Sequence, residues 1–154
     1  PAWLFMWPGS VLLALGLLGV ATLGLHPVRI NDVVFDVHSM LYASAAVTLG
    51  FQMVLLAGLS SFHAFRTGVM PRLPAGTGWV RWVTLERGLV MGGLVCLLGL
   101  LLAVGGLNAW MQAGFATIDP RSVMRIAIPS CMLLIAGGEA MLAAFMFEVL
   151  RMHR

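Results

Sequence analysis

The chain has 154 residues, 60% of them hydrophobic and 10% charged, and its mean hydropathy is +0.98. A soluble domain carries about 45–50% apolar and about 25% charged residues, so composition argues against a soluble fold and against disorder, which needs low hydrophobicity and high charge. What remains is an all-α polytopic membrane protein: at roughly 20 apolar residues per span plus loops, the length allows about four transmembrane helices.

The nine basic residues are all Arg, and the net charge is +3. No basic stretch is long enough for nucleic acid. The arginines flank apolar runs, where they act as topology signals and contacts for membrane lipids. Cys96 and Cys131 lie inside apolar runs at different depths, so no disulfide is expected. A start at Pro1 fits a fragment or processed product better than a complete gene product.

In chain order, the first span is expected over about 3–25, without the basic leader of a signal peptide. The second runs over about 40–62, with Asp36 or Ser39 as its cap. In the central loop, Pro71, Pro74, Gly76 and Gly78 break any long helix, and Trp79 and Trp82 suit the headgroup layer. The third span covers about 88–111, with Thr84 as N-cap and Glu86 in the first turn. The fourth covers about 123–150, and Asp119-Pro120 supplies a capping carboxylate and a Pro suited to the first helical position. Pro129 should bend it.

Arg66, Arg72, Arg81, Arg87, Arg151 and Arg154 fall on one side of these spans, and Arg29, Arg121 and Arg125 on the other. Six against three places the central loop and both termini in the cytoplasm, in a multi-pass cell (inner) membrane protein. The residues 1–154 then form a single transmembrane domain.

The halves show weak similarity. Asp36-Val37-His38-Ser39-Met40 parallels Asp119-Pro120-Arg121-Ser122-Val123, Gln52 parallels Glu139, and Gly9 and Gly88 open the first and third helices. Two explanations stand: a duplicated two-helix hairpin with both copies in one orientation, or chance among Gly- and Leu-rich helices.

Glu139 lies in an apolar run, about 13 Å from the end of its helix, and Gln52 lies at a similar depth. An ionised Glu there is costly, so it should be neutral, paired or facing a polar cavity. Either it is a proton or cation site, or it is hydrogen-bonded to Gln52 or a backbone carbonyl and joins two helices. Gly88, Gly92, Cys96, Gly99, Ala103 and Gly106 share one face of the third helix, a seam for close packing or a groove for a lipid tail. Arg72, Arg81 and Arg87 either hold a lipid phosphate or only retain the loop inside. The histidines lack zinc-type spacing, and no phosphate-binding loop, nucleophile elbow or catalytic carboxylate pair is present in the sequence.

Several motifs in order resemble one family. They are Trp3-Leu4-Phe5-Met6-Trp7-Pro8-Gly9, Asp36-Val37-His38-Ser39-Met40-Leu41-Tyr42-Ala43, Leu49-Gly50-Phe51-Gln52, Leu85-Glu86-Arg87-Gly88, Gly114-Phe115, Asp119-Pro120 and Ile128-Pro129-Ser130. Together they resemble the C-terminal membrane region of family 2 glycosyltransferases of the polyprenyl-phosphate (dolichol-phosphate sugar synthase-like) kind. Where the pattern usually has Gln, this chain has Glu139. The resemblance implies a membrane-anchoring and assembly domain with no catalytic residues and no cofactor of its own, which lines part of the lipid-acceptor groove. It implies a cytoplasmic glycosyltransferase domain as partner, which holds a divalent metal and transfers sugar from a nucleotide sugar to polyprenyl phosphate. No Asp-x-Asp metal motif occurs in these 154 residues. A homo-oligomer is compatible with this reading. The alternative is a small four-helix transporter or ion-coupled membrane protein using Glu139.

Overall fold

The computed structural model describes residues 2–25, 28–30, 33–73, 76–112 and 120–152. Four helices dominate: α1 (Ala2–Leu25), α2 (Val37–Arg66), α3 (Leu85–Gln112) and α4 (Pro120–Met152). All four are long and apolar enough to cross a membrane. Each extends beyond the span expected from apolar residues, because a helix continues into the headgroup layer where its ends find polar partners. At 1.5 Å per residue, the 30 residues of α2 reach about 45 Å, against a hydrocarbon core of about 30 Å.

Three short elements accompany the expected helices. Strands β1 (Val28–Ile30) and β2 (Val33–Phe35) form an antiparallel pair, with Arg29 opposite Val34. β-Branched residues fill most of both strands and favour extended backbone. A 3₁₀ turn, η1 (Gly78–Arg81), lies in the central loop. Gly68 and Gly76 precede this turn at φ 74° and 89°, where a side chain would be strained.

The helices pack as two hairpins, α1 with α2 and α3 with α4, and the hairpins meet along α2 and α4. Glycines bring the backbones together within each hairpin. A Cβ added at Gly50 would stand 2.7 Å from Gly9 O and 2.5 Å from Leu13 N, and one added at Gly137 would stand 2.6 Å from Gly92 O and 2.7 Å from Cys96 N. Likewise, Gly16 faces Ala43 O and Val47 N, while Gly99 faces Ser130 O and Leu134 N. Each of these contacts in the second hairpin repeats one in the first, 83 residues later on α1/α3 and 87 later on α2/α4. A recurring contact scheme is what a duplicated hairpin predicts. The contacts pair Gly9 with Gly92 rather than with Gly88, so the expected Gly9–Gly88 match was one helical turn out of register.

The loop end of the bundle has its own core. Phe62, Val80 and Phe147 are buried together. Phe147 takes the edges of Phe62 and Trp79, at centroid distances of 5.8 and 6.1 Å. Gly58 makes room for Trp79, whose ring a Cβ there would meet at 2.7 Å. The two loop tryptophans therefore differ: Trp79 packs inward, whereas Trp82 is 73% exposed and fits the headgroup role expected of both.

Candidate functional site

Polar contacts join α2 to α4 near each end and midway. Near the β-hairpin end, Arg125 Nη2 donates to Asp36 Oδ1 at 2.8 Å, and Arg121 Nη1 lies 3.5 Å from Asp36 Oδ2. Asp36 occupies the N-cap position of α2, yet its side chain makes no capping bond. The expected cap is thus corrected: a guanidinium competes for the carboxylate and forms the stronger, charge-assisted bond. The Arg125 hydrogen bond, helped by the Val37 N–H and the two arginine charges, holds the Asp36 carboxyl below its ordinary pKa against the opposing effect of burial. Asp119, expected to cap α4, lies outside the described residues.

Midway along the helices, Gln52 Nε2 donates to Glu139 Oε1. Glu139 Oε2 is buried and has no hydrogen-bond partner among the described residues. The geometry therefore joins these two residues in one helix-bridging hydrogen bond.

At the loop end, Arg66 Nη2 donates to Arg151 O at 2.7 Å. Arg151 Nη2 donates to Val83 O at 2.6 Å, its Nη1 pairs with Glu148 at 3.6 Å, and its guanidinium lies 5.8 Å from the Phe62 ring centre. Arg151 thus fastens the loop to α4. In the sequence it stands only as a topology charge, because apart from Glu148 on the same helix its partners come from distant segments.

Arg72 and Arg81 are exposed, and Arg87 Nη1 lies 3.5 Å from Trp82 O. Thr84 does cap α3, accepting from Arg87 N at 3.3 Å.

The small-residue face of α3 meets α4. A Cβ at Gly88 would collide with Ala144, one at Gly92 would reach Gly137 O and Met141, and one at Gly106 would stand 3.2 Å from Ile126. Cys96 Sγ lies 3.5 Å from Leu134 O. Because α4 fills this seam, it leaves no space there for a lipid tail. Open space lies instead between α2 and α4. A cavity of about 550 Å³ is lined by Leu41, Ser44, Thr48, Ile128, Cys131 and Ile135, among others. A second, of about 250 Å³, is lined by Gln52, Leu55, Leu56, Leu59, Glu139 and Ala143. The Ser44 and Thr48 hydroxyls are turned back to their own helix, on Leu41 O and Ala45 O, which leaves the first cavity effectively apolar.

Residues 58–151 match the glycosyltransferase family 2 C-terminal transmembrane region. The chain belongs to that family. It is 31% identical over 124 residues to the low-salt glycan biosynthesis hexosyltransferase Agl6 of Haloferax volcanii, an alignment covering 77% of this chain and 28% of the relative. The chain thus spans less than a third of that relative's length. No solved structure matches it. The four apolar helices and the family agree that this is a multi-pass membrane region of glycosyltransferase type.

Proposed function

We propose that this chain is the membrane-anchoring and assembly region of an enzyme that moves a sugar from a nucleotide sugar to a polyprenyl-phosphate lipid. The observation that carries the proposal is family membership together with charge polarity. Along the sequence, the segments of the loop end carry Arg66, Arg72, Arg81, Arg87, Arg151 and Arg154 against Glu86 and Glu148, a net charge of +4, whereas those of the other end carry Arg29, Arg121 and Arg125 against Asp32, Asp36 and Asp119. Positive charge at one end suits the cytoplasmic side, with both termini there. It also suits a surface where an anionic lipid phosphate meets an anionic nucleotide sugar. The sugar-transfer chemistry and any divalent metal belong to a cytoplasmic catalytic domain, the partner this region would hold at the bilayer.

Replacing Arg72, Arg81 and Arg87 together with Gln in the full-length enzyme tests the role of the loop. The expected result is a KM for the lipid acceptor raised by roughly tenfold, at little change in folding, since three exposed charges at about 0.5 kcal/mol each come to about 1.5 kcal/mol. Unchanged acceptor kinetics would reduce the three to topology signals.

A second reading rests on the unpartnered Glu139 Oε2, which suits an ion-coupled protein. That reading predicts pH-dependent flux in vesicles that is lost in Glu139→Gln.

A further inference from the structure

Val83 lies in the stretch that leads from the central loop into α3, between Arg81 and Arg87 in sequence. Side chains seat this stretch from beneath: Val80 is buried with Phe62 and Phe147, and Val83 packs against them. The backbone has a separate fastening on α4. Arg151 Nη2 donates to Val83 O at 2.6 Å, Nη1 lies 3.6 Å from Glu148, and the guanidinium carbon lies 5.8 Å from the centre of the Phe62 ring. From α2, Arg66 donates to Arg151 O at 2.7 Å, one of the carbonyls that a helix end leaves without an internal partner. The Arg151 side chain is 26% exposed, so most of it is committed to these contacts. One planar fork thereby addresses a backbone oxygen, a carboxylate and a ring face together, which a single ammonium point charge cannot do. On the outer side of the same stretch, Arg81 and Trp82 are exposed, and Arg87 reaches back to Trp82 O at 3.5 Å.

We propose that Arg151 is a positioning residue for sugar transfer: it touches no substrate, but through Val83 O it fixes where Arg81 and Arg87 stand when they meet the lipid phosphate. This inference rests on the proposed polyprenyl-phosphate reading and adds how the loop arginines are held in place. Arg81 ends η1 and Arg87 lies in the first turn of α3, so a shift of Val83 changes the spacing between the two guanidinium groups. Charge-assisted bonds from Arg to phosphate depend on geometry as well as on charge. A loop already ordered before the lipid arrives also avoids the entropy cost of ordering it on binding. The contacts of Arg151 set it apart from Arg72 and Arg81: it is turned toward Glu148, Val83 O and Phe62, whereas they are exposed.

The test uses the full-length enzyme with polyprenyl phosphate as acceptor. Arg151→Lys keeps the charge and loses the fork; Arg151→Gln loses both. Each should raise the acceptor KM roughly fivefold, the loss expected from two exposed charges, with kcat and the KM for the nucleotide sugar little changed. In a background of Arg81→Gln with Arg87→Gln, Arg151→Lys should add less than about twofold, because residues acting through one another are not additive. Trypsin gives a readout apart from activity. Cleavage after Arg81 and Arg87 should be faster in Arg151→Lys than in wild type, as local opening becomes easier, while cleavage after Arg125 stays the same. Rescue of the acceptor KM by Lys would show that charge alone matters and would overturn the proposal. A lowered kcat at unchanged acceptor KM, the mark of a smaller folded fraction, overturns it too. So does a full fivefold loss in the Arg81 and Arg87 background, the mark of direct phosphate contact, or an acceptor KM indifferent to Arg81 and Arg87. Unchanged trypsin cleavage of the loop overturns the fastening itself. A wild-type enzyme that moves no sugar to polyprenyl phosphate would remove that reading and the positioning role with it, and the cleavage rates would still decide whether Arg151 fastens the loop.

Discussion

The contacts within each hairpin and those between the hairpins are built differently. Inside a hairpin, glycines let backbone touch backbone: Gly50 lies on Gly9 and Leu13, and Gly137 on Gly92 and Cys96. Between hairpins, α2 and α4 are held by Asp36–Arg125, Gln52–Glu139 and Arg66–Arg151, with apolar cavities alongside. In a bilayer lipid tails are as apolar as Leu, so helices associate by close packing or by hydrogen bonds rather than by a hydrophobic drive. Glycine seams give a continuous, dry contact. Spaced polar contacts fix the helices while leaving room for a hydrocarbon chain.

Breaking the seams should cost most. Gly137→Ala and Gly50→Ala each force a methyl group against backbone that cannot give way, and should destabilise the region by about 1–3 kcal/mol. Gly138→Ala, one residue away with nothing within 4 Å of its added Cβ, should be nearly neutral. Thermal unfolding of detergent-solubilised protein measures the difference, and equal effects at Gly137 and Gly138 would break the comparison.

Disturbing the midpoint of the junction should cost less. Glu139→Leu removes the bridge to Gln52 and should destabilise by about 1 kcal/mol, the scale of one intramembrane hydrogen bond. Glu139→Gln should retain most stability, because an amide still accepts from Gln52. If Glu139→Gln were as damaging as Glu139→Leu, the carboxylate would do more than bridge.

The smallest effect should appear at the hairpin end, through pH. The folded pKa of Asp36 is depressed, so its contribution is present above the unfolded carboxyl value of about 3.9 and fades as pH falls through the folded value. Wild type should therefore be more stable than Asp36→Asn at pH 7, and the two should converge below about pH 4. A difference that stays constant down to low pH would argue against the Asp36–Arg125 contact.

Hydropathy made the four helices legible, because a bilayer imposes length and apolarity on every span. The Gln52–Glu139 partnership was also legible, since both are polar residues at one depth. Contacts between distant segments were not. The Asp36 side chain suited a cap locally, and only the approach of α4 gives it Arg125. Arg151 read as a tail charge because Val83 and Phe62 come from elsewhere. The small residues of α3 marked a seam but not whether helix or lipid fills it, and open cavities lie instead between α2 and α4. Neither short strand has enough apolar length to register beside the spans.

The most direct measurement is sugar transfer by the full-length enzyme. Purified protein would be incubated with a radiolabelled nucleotide hexose and polyprenyl phosphate, then extracted into organic solvent. The account predicts label in the lipid phase, dependent on polyprenyl phosphate and reduced when Arg72, Arg81 and Arg87 are replaced. No label in that phase, together with Glu139-dependent, pH-dependent flux in reconstituted vesicles, would contradict it.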